Sequence, residues 1–246
     1  MKLLKHILII LLLNAGSVFA SEKLFSEANM AYEGGNYKEA ISKYAAILET
    51  SSNVVEVYFN MANAYYRMDE LGLSILYFEK VLKLDPANPK AKHNLQLAYL
   101  KSNNPIEPLP KLIFVEWWQQ LLTYRSANSW ATWAVCLAWV GIGVFALNGL
   151  IKKTFFKVFA WVIVLLCLMH VFLAIQNNKL QSAYHYAIIM SEEVQLRAGP
   201  NASDQEVRIA YEGLKVELLD RVDDWTKIRL EDNNEAWIES SKLLKI

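Results

Sequence analysis

The chain has 246 residues, 54% of them hydrophobic, and 25 Lys+Arg balance 25 Asp+Glu for a formal net charge of zero. That excludes an intrinsically disordered chain, which combines low hydrophobicity with high net charge, and argues against a nucleic-acid binder, which carries a basic excess. Residues 21–110 hold 9 basic and 11 acidic side chains and residues 179–246 hold 9 and 13, whereas Lys111 to Asn178 contains only Lys111, Arg125, Lys152, Lys153, Lys157 and one acid, Glu116. Two charged segments flanking an apolar middle predict two soluble modules on a membrane anchor.

Residues 1–20 read as a signal peptide. Lys2 and Lys5 open it, Ile7 to Leu13 is a short apolar run, and Val18-Phe19-Ala20 places small residues where cleavage requires them. An uncleaved anchor is the alternative, and in either case the chain after residue 20 is exported.

Residues 21–54 and 55–88 align at a shift of 34, pairing Ala40 with Ser74, Ile41 with Ile75, Tyr44 with Phe78, Ile47 with Val81 and Leu48 with Leu82. Phe25, Phe59 and His93 continue the register, as do Ala31, Tyr65 and Tyr99. Apolar spacings of three and four make each unit a helical pair, with turns at Gly34-Gly35-Asn36 and Asp69-Glu70. Asp85-Pro86-Ala87-Asn88-Pro89 ends one helix and starts a last one, 89–101. This period and pattern resemble the tetratricopeptide repeat, most closely in YFNMANAYYRMDELGLSILYFEKVLKLDPAN. Glu27 and Ala31 depart from it where larger apolar residues are usual. Two units and one helix over 21–103 are few for a solenoid, so the module is expected to need help from a partner or from the helix at 111–125.

The resemblance implies that the first helix of each unit lines a concave groove. Phe25, Asn29, Tyr32 and Glu33 face it from the first unit; Phe59, Asn63, Tyr66 and Arg67 face it from the second; His93 and Leu97 come from the last helix. Asn29, Tyr32, Phe59, Asn63, Tyr66, Arg67 and His93 are the candidate partner-binding residues. Asn63 would bond an extended backbone, Tyr66 would stack, and Arg67 would pair with a carboxylate. The competing reading is that the aromatics are packing and the polar residues are solvated.

Residues 111–125, KLIFVEWWQQLLTYR, form an amphipathic helix that either lies in the membrane interface, with Trp117, Trp118 and Tyr124 in an aromatic belt, or packs on the repeats. Apolar segments at 129–150 and 156–175, the second with Lys157 at its start, are long enough for two membrane spans. Lys152, Lys153 and Lys157 between them put the hairpin turn in the cytoplasm and both flanking modules on the opposite, periplasmic side of the inner membrane.

Residues 184–246 alternate at Val194-Gln195-Leu196-Arg197, Val207-Arg208-Ile209, Val216-Glu217-Leu218, Ile228-Arg229-Leu230 and Trp237-Ile238, which predicts five or six short strands in a small barrel. LRAGP, the Glu212-Gly213 pair before a strand, and Trp225 and Trp237 resemble the bacterial SH3 family. Asp224, Asn233 and Ala236 stand where that family often has other turn residues, Asn233 being able to keep the turn's left-handed dihedral. The resemblance implies peptidoglycan or peptide binding, with Trp225 and Arg197 as the candidate residues. Trp237 is expected in the core.

Both cysteines, Cys136 and Cys167, fall inside the spans, and His6, His93, His170 and His185 are scattered. No metal, phosphate-loop or nucleophile motif is present in the sequence, so neither an enzyme nor a cofactor is expected. The order of segments resembles the Bacteroides aerotolerance (Bat) family. It implies a multidomain membrane protein with an all-α tetratricopeptide-repeat module, a two-helix transmembrane hairpin and a C-terminal all-β SH3-like barrel. It also implies Bat partners carrying von Willebrand factor A domains, a MoxR-type ATPase, and a role in oxidative-stress tolerance. A non-enzymatic adaptor is the first functional expectation and a peptidoglycan-binding sensor the second. An enzyme or transporter is the weakest, since neither span carries an internal carboxylate.

Overall fold

The computed structural model describes residues 21–50, 54–102, 113–151, 153–183 and 185–246. The expected signal peptide, Lys111 and Lys152 lie outside them. Five helices form the repeats: α1 (residues 21–33), α2 (Tyr37–Thr50), α3 (Val55–Arg67), α4 (Leu71–Leu84) and α5 (Pro89–Lys101). The 34-residue register recurs in three dimensions. Ala28 and Ala62 are fully buried, as are Ala40 and Ser74, because helices of a pair approach closely only over small side chains. Phe25 meets Tyr44 at 6.0 Å, and one repeat later Phe59 meets Phe78 at 5.8 Å. Gly35 and Asp69, also one repeat apart, both take positive φ in the turn between helices. The Glu27 departure has a local reason: its carboxylate takes Lys43 Nζ at 3.0 Å. The last helix starts as the sequence predicts, with Asn88 accepting from Ala91 N–H at 3.0 Å and Pro89 in the first turn.

Helix α6 (Ile113–Thr123) precedes α7 (Ala127–Ile151) and α8 (Thr154–Ala183). Both long helices are apolar and long enough to cross a membrane. They pack on each other over Ala134, Ala160 and Ile163, with Gly141 admitting Ile163. Helix α8 runs eight residues beyond the predicted span to Ala183. Its extension fastens α6: the buried Asn177 amide nitrogen donates to the carbonyls of Leu122 at 2.6 Å and Arg125 at 3.1 Å. The Trp130 indole also reaches the Leu122 carbonyl, at 3.2 Å. These donors satisfy carbonyls at the helix end that have no partner within the helix. Trp118 sits 6.3 Å from Phe172 while Phe114, Trp117 and Leu121 are exposed, so α6 lies along α8.

Among the described residues seven strands follow: β1 (Tyr186–Ile189), β2 (Glu193–Arg197), β3 (Glu206–Tyr211), β4 (Lys215–Val222), β5 (Trp225–Arg229), β6 (Glu235–Glu239) and β7 (Leu243–Lys245). They form one antiparallel sheet in the order β3-β2-β6-β5-β4-β1-β7. Its core is Ala187, Ile189, Leu196, Val216, Ile228 and Ile238 with their neighbours. Asn233 takes φ 65°, the left-handed turn that its position requires. Alternation predicts five of the strands, and β1 and β7 are additional.

The barrel is seated on the repeats. Strand β1 packs on α4, and Ile188 is fully buried in the repeat cluster that contains Ile75, Phe78, Leu95 and Ala98. Met190 and Ile246 pack against the same cluster. The barrel thus covers the short repeat stack, a contact that is not among the expected helpers, while α6 fastens to α8.

Candidate binding surfaces

Helices α1, α3 and α5 carry a ladder of asparagines. Asn60 Nδ2 donates to Asn29 Oδ1 at 3.0 Å, and 34 residues on, Asn94 Nδ2 donates to Asn63 Oδ1 at 2.8 Å. Asn29 Oδ1 also accepts from the buried Tyr44 hydroxyl at 2.5 Å. Burial raises the Tyr44 pKa, so this hydroxyl stays a donor. These amides therefore hold first helices together and are not merely solvated. Asn60 and Asn94 complete this ladder although the groove residues expected from the repeat pattern do not include them; the signal is their own 34-residue spacing.

Tyr32 and Tyr37 meet edge-on at 5.4 Å. The exposed Arg67 guanidinium has its pKa raised, chiefly by the neighbouring Tyr32 hydroxyl. Tyr66 lies under Lys101, 5.2 Å from ring centre to Nζ, and Lys101 is held by Asp69 at 2.5 Å. Tyr32, Tyr66 and Arg67 thus form an aromatic and cationic corner. Phe59 is placed apart from it: its half-buried ring packs on Phe78 between helices. His93 is exposed on the first turns of α5.

On the barrel, alternation sorts the aromatics. Ala236 and Ile238 of β6 are 2% and 0% exposed and fill the core. Trp237 between them must point to the other face and is half-buried there, which corrects its expected core position. Trp237 is opposite Arg197 on β2 and opposite Lys227 on β5, so an indole sits between two cationic positions in cross-strand register. Trp225 shares this face at the start of β5, opposite Glu239. The Arg197 guanidinium is oriented by the Asp204 carbonyl at 3.1 Å and Gln195 Oε1 at 2.5 Å. Lys227 and Arg229 both hold Glu235, at 2.7 and 2.9 Å, and lower its pKa. Trp237 and Lys227 complete a surface of which the sequence pattern marks only Trp225 and Arg197.

Between the modules, Lys215 Nζ reaches Glu79 Oε2 at 2.6 Å, and Tyr99 donates to Glu79 Oε1 at 3.1 Å. Burial, followed by the neighbouring Glu79 charge, raises the Tyr99 pKa well above its ordinary value. The Glu212 carboxylate accepts from Gly72 N–H at 2.9 Å, capping α4 from the barrel. A Cβ on Gly72 would lie 2.6 Å from that carboxylate oxygen, so glycine permits the approach. An open cavity of about 730 Å³ lies where α4, α5, α6, α8 and the barrel meet. Among the described residues, no group of three His, Cys, Asp or Glu side chains is placed to hold a metal ion.

A family model described as bacterial SH3 domain matches residues 192–245, and one described as tetratricopeptide repeat matches residues 55–88. Sperm-associated antigen 1 is 37% identical over 81 residues in Mus musculus and 36% identical over 81 in Rattus norvegicus, in each case 31% of this chain and 9% of the relative. The chain thus spans about a tenth of the curated relatives that it matches. The Arabidopsis OM64 TPR domain is 22% identical, with a TM-score of 0.33 over 35% of this chain and 70% of that one. The Yersinia enterocolitica type III secretion chaperone SycD, solved with a peptide of the translocator YopD, is 17% identical, with a TM-score of 0.32 over 61% and 90%. The protein therefore carries a tetratricopeptide repeat and a bacterial SH3 domain, both of them interaction modules, alongside two helices able to cross a membrane.

Proposed function

We propose that the protein is a non-enzymatic inner-membrane adaptor that holds one partner in the repeat groove and a second on the barrel. The observation that carries this reading is the seat of the barrel on α4. Glu79 and Lys215 lie on opposite sides of the two apolar helices in sequence yet touch, which supports both modules sharing one side of the membrane, as two crossings between them allow. The positive-inside rule applied to Lys152, Lys153 and Lys157 makes that side periplasmic, in agreement with a signal peptide at residues 1–20. The module limits are 21–103 for the repeats, 111–125 for the interfacial helix, 129–150 and 156–175 for the spans and 184–246 for the barrel.

Asn29, Asn63, Tyr32, Tyr66 and Arg67 suit an extended peptide with an acidic group: amides for its backbone, rings for its side chains and a guanidinium for the carboxylate. On the family resemblance, the partners are Bat-type membrane proteins with von Willebrand factor A domains acting in stress tolerance. Crosslinking the full chain in its own membranes and identifying the adducts tests this: adducts at α1, α3 and α5 support the adaptor, and a chain that yields none contradicts it.

The Trp237 face favours a second reading for the barrel. An indole between Arg197 and Lys227 suits stacking on a glycan with anionic substituents, as in peptidoglycan. Sedimentation of the detergent-solubilised full chain with purified murein tests it, the wild type pelleting and Trp237→Ala remaining in solution.

A further inference from the structure

Among the described residues, the repeat pattern runs to one helix of a third unit, α5. In the preceding pair, α3 is followed by α4, which covers it. Helix α5 stands where the first helix of the next pair belongs, and no second helix of that pair covers it among the described residues. The place beside α4 is instead taken by β1. Ile188 enters the cluster of Ile75, Phe78, Leu95 and Ala98, flanked by Met190 and Ile246. Polar contacts surround this apolar seat: Lys215 and Tyr99 converge on Glu79, and Lys83 Nζ reaches the Ile246 carbonyl at 2.8 Å. Glu212 closes the N-terminus of α4.

We propose that the barrel, seated beside α4, does the work of a covering second helix for α5 and thereby positions α5. Helix α5 has two working sides. Leu95, Ala98 and Tyr99 face the seat, and Asn94 reaches across to Asn63 on the groove side. Unseating the barrel removes the Lys215 contact from Glu79, the residue to which Tyr99 is bonded, and opens the cluster around Leu95. Loosened in this way, α5 gives up the Asn63–Asn94 end of the ladder. The barrel is then a positioning part of the repeat module, not a second bead on a string. The consequence for ligand capture rests on the peptide-binding reading above; the positioning itself does not, and its test reads structure alone.

The test is amide hydrogen exchange on the full chain in detergent, with α7 and α8 as an internal reference. Lys215→Glu places two carboxylates at the seat. It is expected to raise exchange at least tenfold across α5 while β5 and β6, inside the barrel, keep their protection. The charge swap Lys215→Glu with Glu79→Lys is expected to restore α5 protection, which a barrel that simply misfolded would not do. Unchanged α5 exchange in Lys215→Glu, loss of β5–β6 protection together with α5, or failure of the swap to restore α5 each overturns the proposal.

Discussion

Glu79 and Lys215, 136 positions apart, form a 2.6 Å ion pair at the seat of the barrel on the repeats. Their side chains are 10% and 24% exposed, so the pair is partly desolvated, and the carboxylate has a second donor in Tyr99. Lys215→Ala leaves Glu79 in place with one donor fewer. The expected loss is about 1–3 kcal/mol, the range for an under-satisfied buried polar group, read as a lower urea midpoint for the full chain in detergent. A midpoint equal to wild type contradicts a structural role for the pair.

Gly72 and Glu212 give a coupled prediction. Alanine in a helix is favoured over glycine by about 1 kcal/mol, so Gly72→Ala should stabilise α4 by up to that amount in a Glu212→Ala background. In the wild-type background the new Cβ displaces the capping carboxylate, and the gain should vanish. The double-mutant cycle then shows a coupling of about 1 kcal/mol, and additive effects contradict the cap.

The same carboxylate predicts a pH dependence. Burial raises the Glu212 pKa, opposed by the Gly72 hydrogen bond and reinforced by Glu70, Glu192 and Asp69. A carboxyl with a raised pKa in the folded state contributes stability that is complete below its unfolded value and lost as pH rises through the folded one. Wild type should therefore gain stability relative to Glu212→Gln as pH falls from about 7 toward the ordinary carboxylate range. Thermal unfolding of both proteins across that interval checks it, and a gap that is constant or widens the other way contradicts it.

Phe59 and Arg67 separate packing from recognition. Phe59→Ala removes a half-buried ring from Phe78 and should cost about 2–3 kcal/mol, less than a fully buried phenylalanine. Arg67→Glu changes an exposed side chain and should leave the urea midpoint near wild type but weaken partner capture from membranes. Unchanged capture in Arg67→Glu removes it from the binding surface.

Much of this arrangement is legible in the sequence because the causes are local. The 34-residue period is written in the small and aromatic positions that helix pairs require, such as Ala28 with Ala62 and Tyr44 with Phe78. Apolar length marks α7 and α8, and alternation marks β2 to β6. Strand β1 escapes because Tyr186 to Ile189 is covered on two sides: Ala187 and Ile189 face the barrel core, whereas Ile188 faces the repeats, so no apolar–polar alternation survives. Trp237 is misplaced when size is taken as the guide to burial, although its neighbours Ala236 and Ile238 already fix its face. The Glu79–Lys215 and Gly72–Glu212 contacts join segments 136 and 140 positions apart, and no local pattern announces them.

The central claim, that two modules on either side of a membrane hairpin sit together on the extracytoplasmic face, is tested most directly by cysteine labelling. Cys136 and Cys167 are replaced by alanine, and single cysteines are placed at Ser42 on the repeats, Asn201 on the barrel and Lys153 in the hairpin turn. A membrane-impermeant maleimide applied to intact spheroplasts is predicted to label positions 42 and 201 alike and to reach 153 only after lysis. Labelling that places positions 42 and 201 on opposite sides of the membrane would contradict the account.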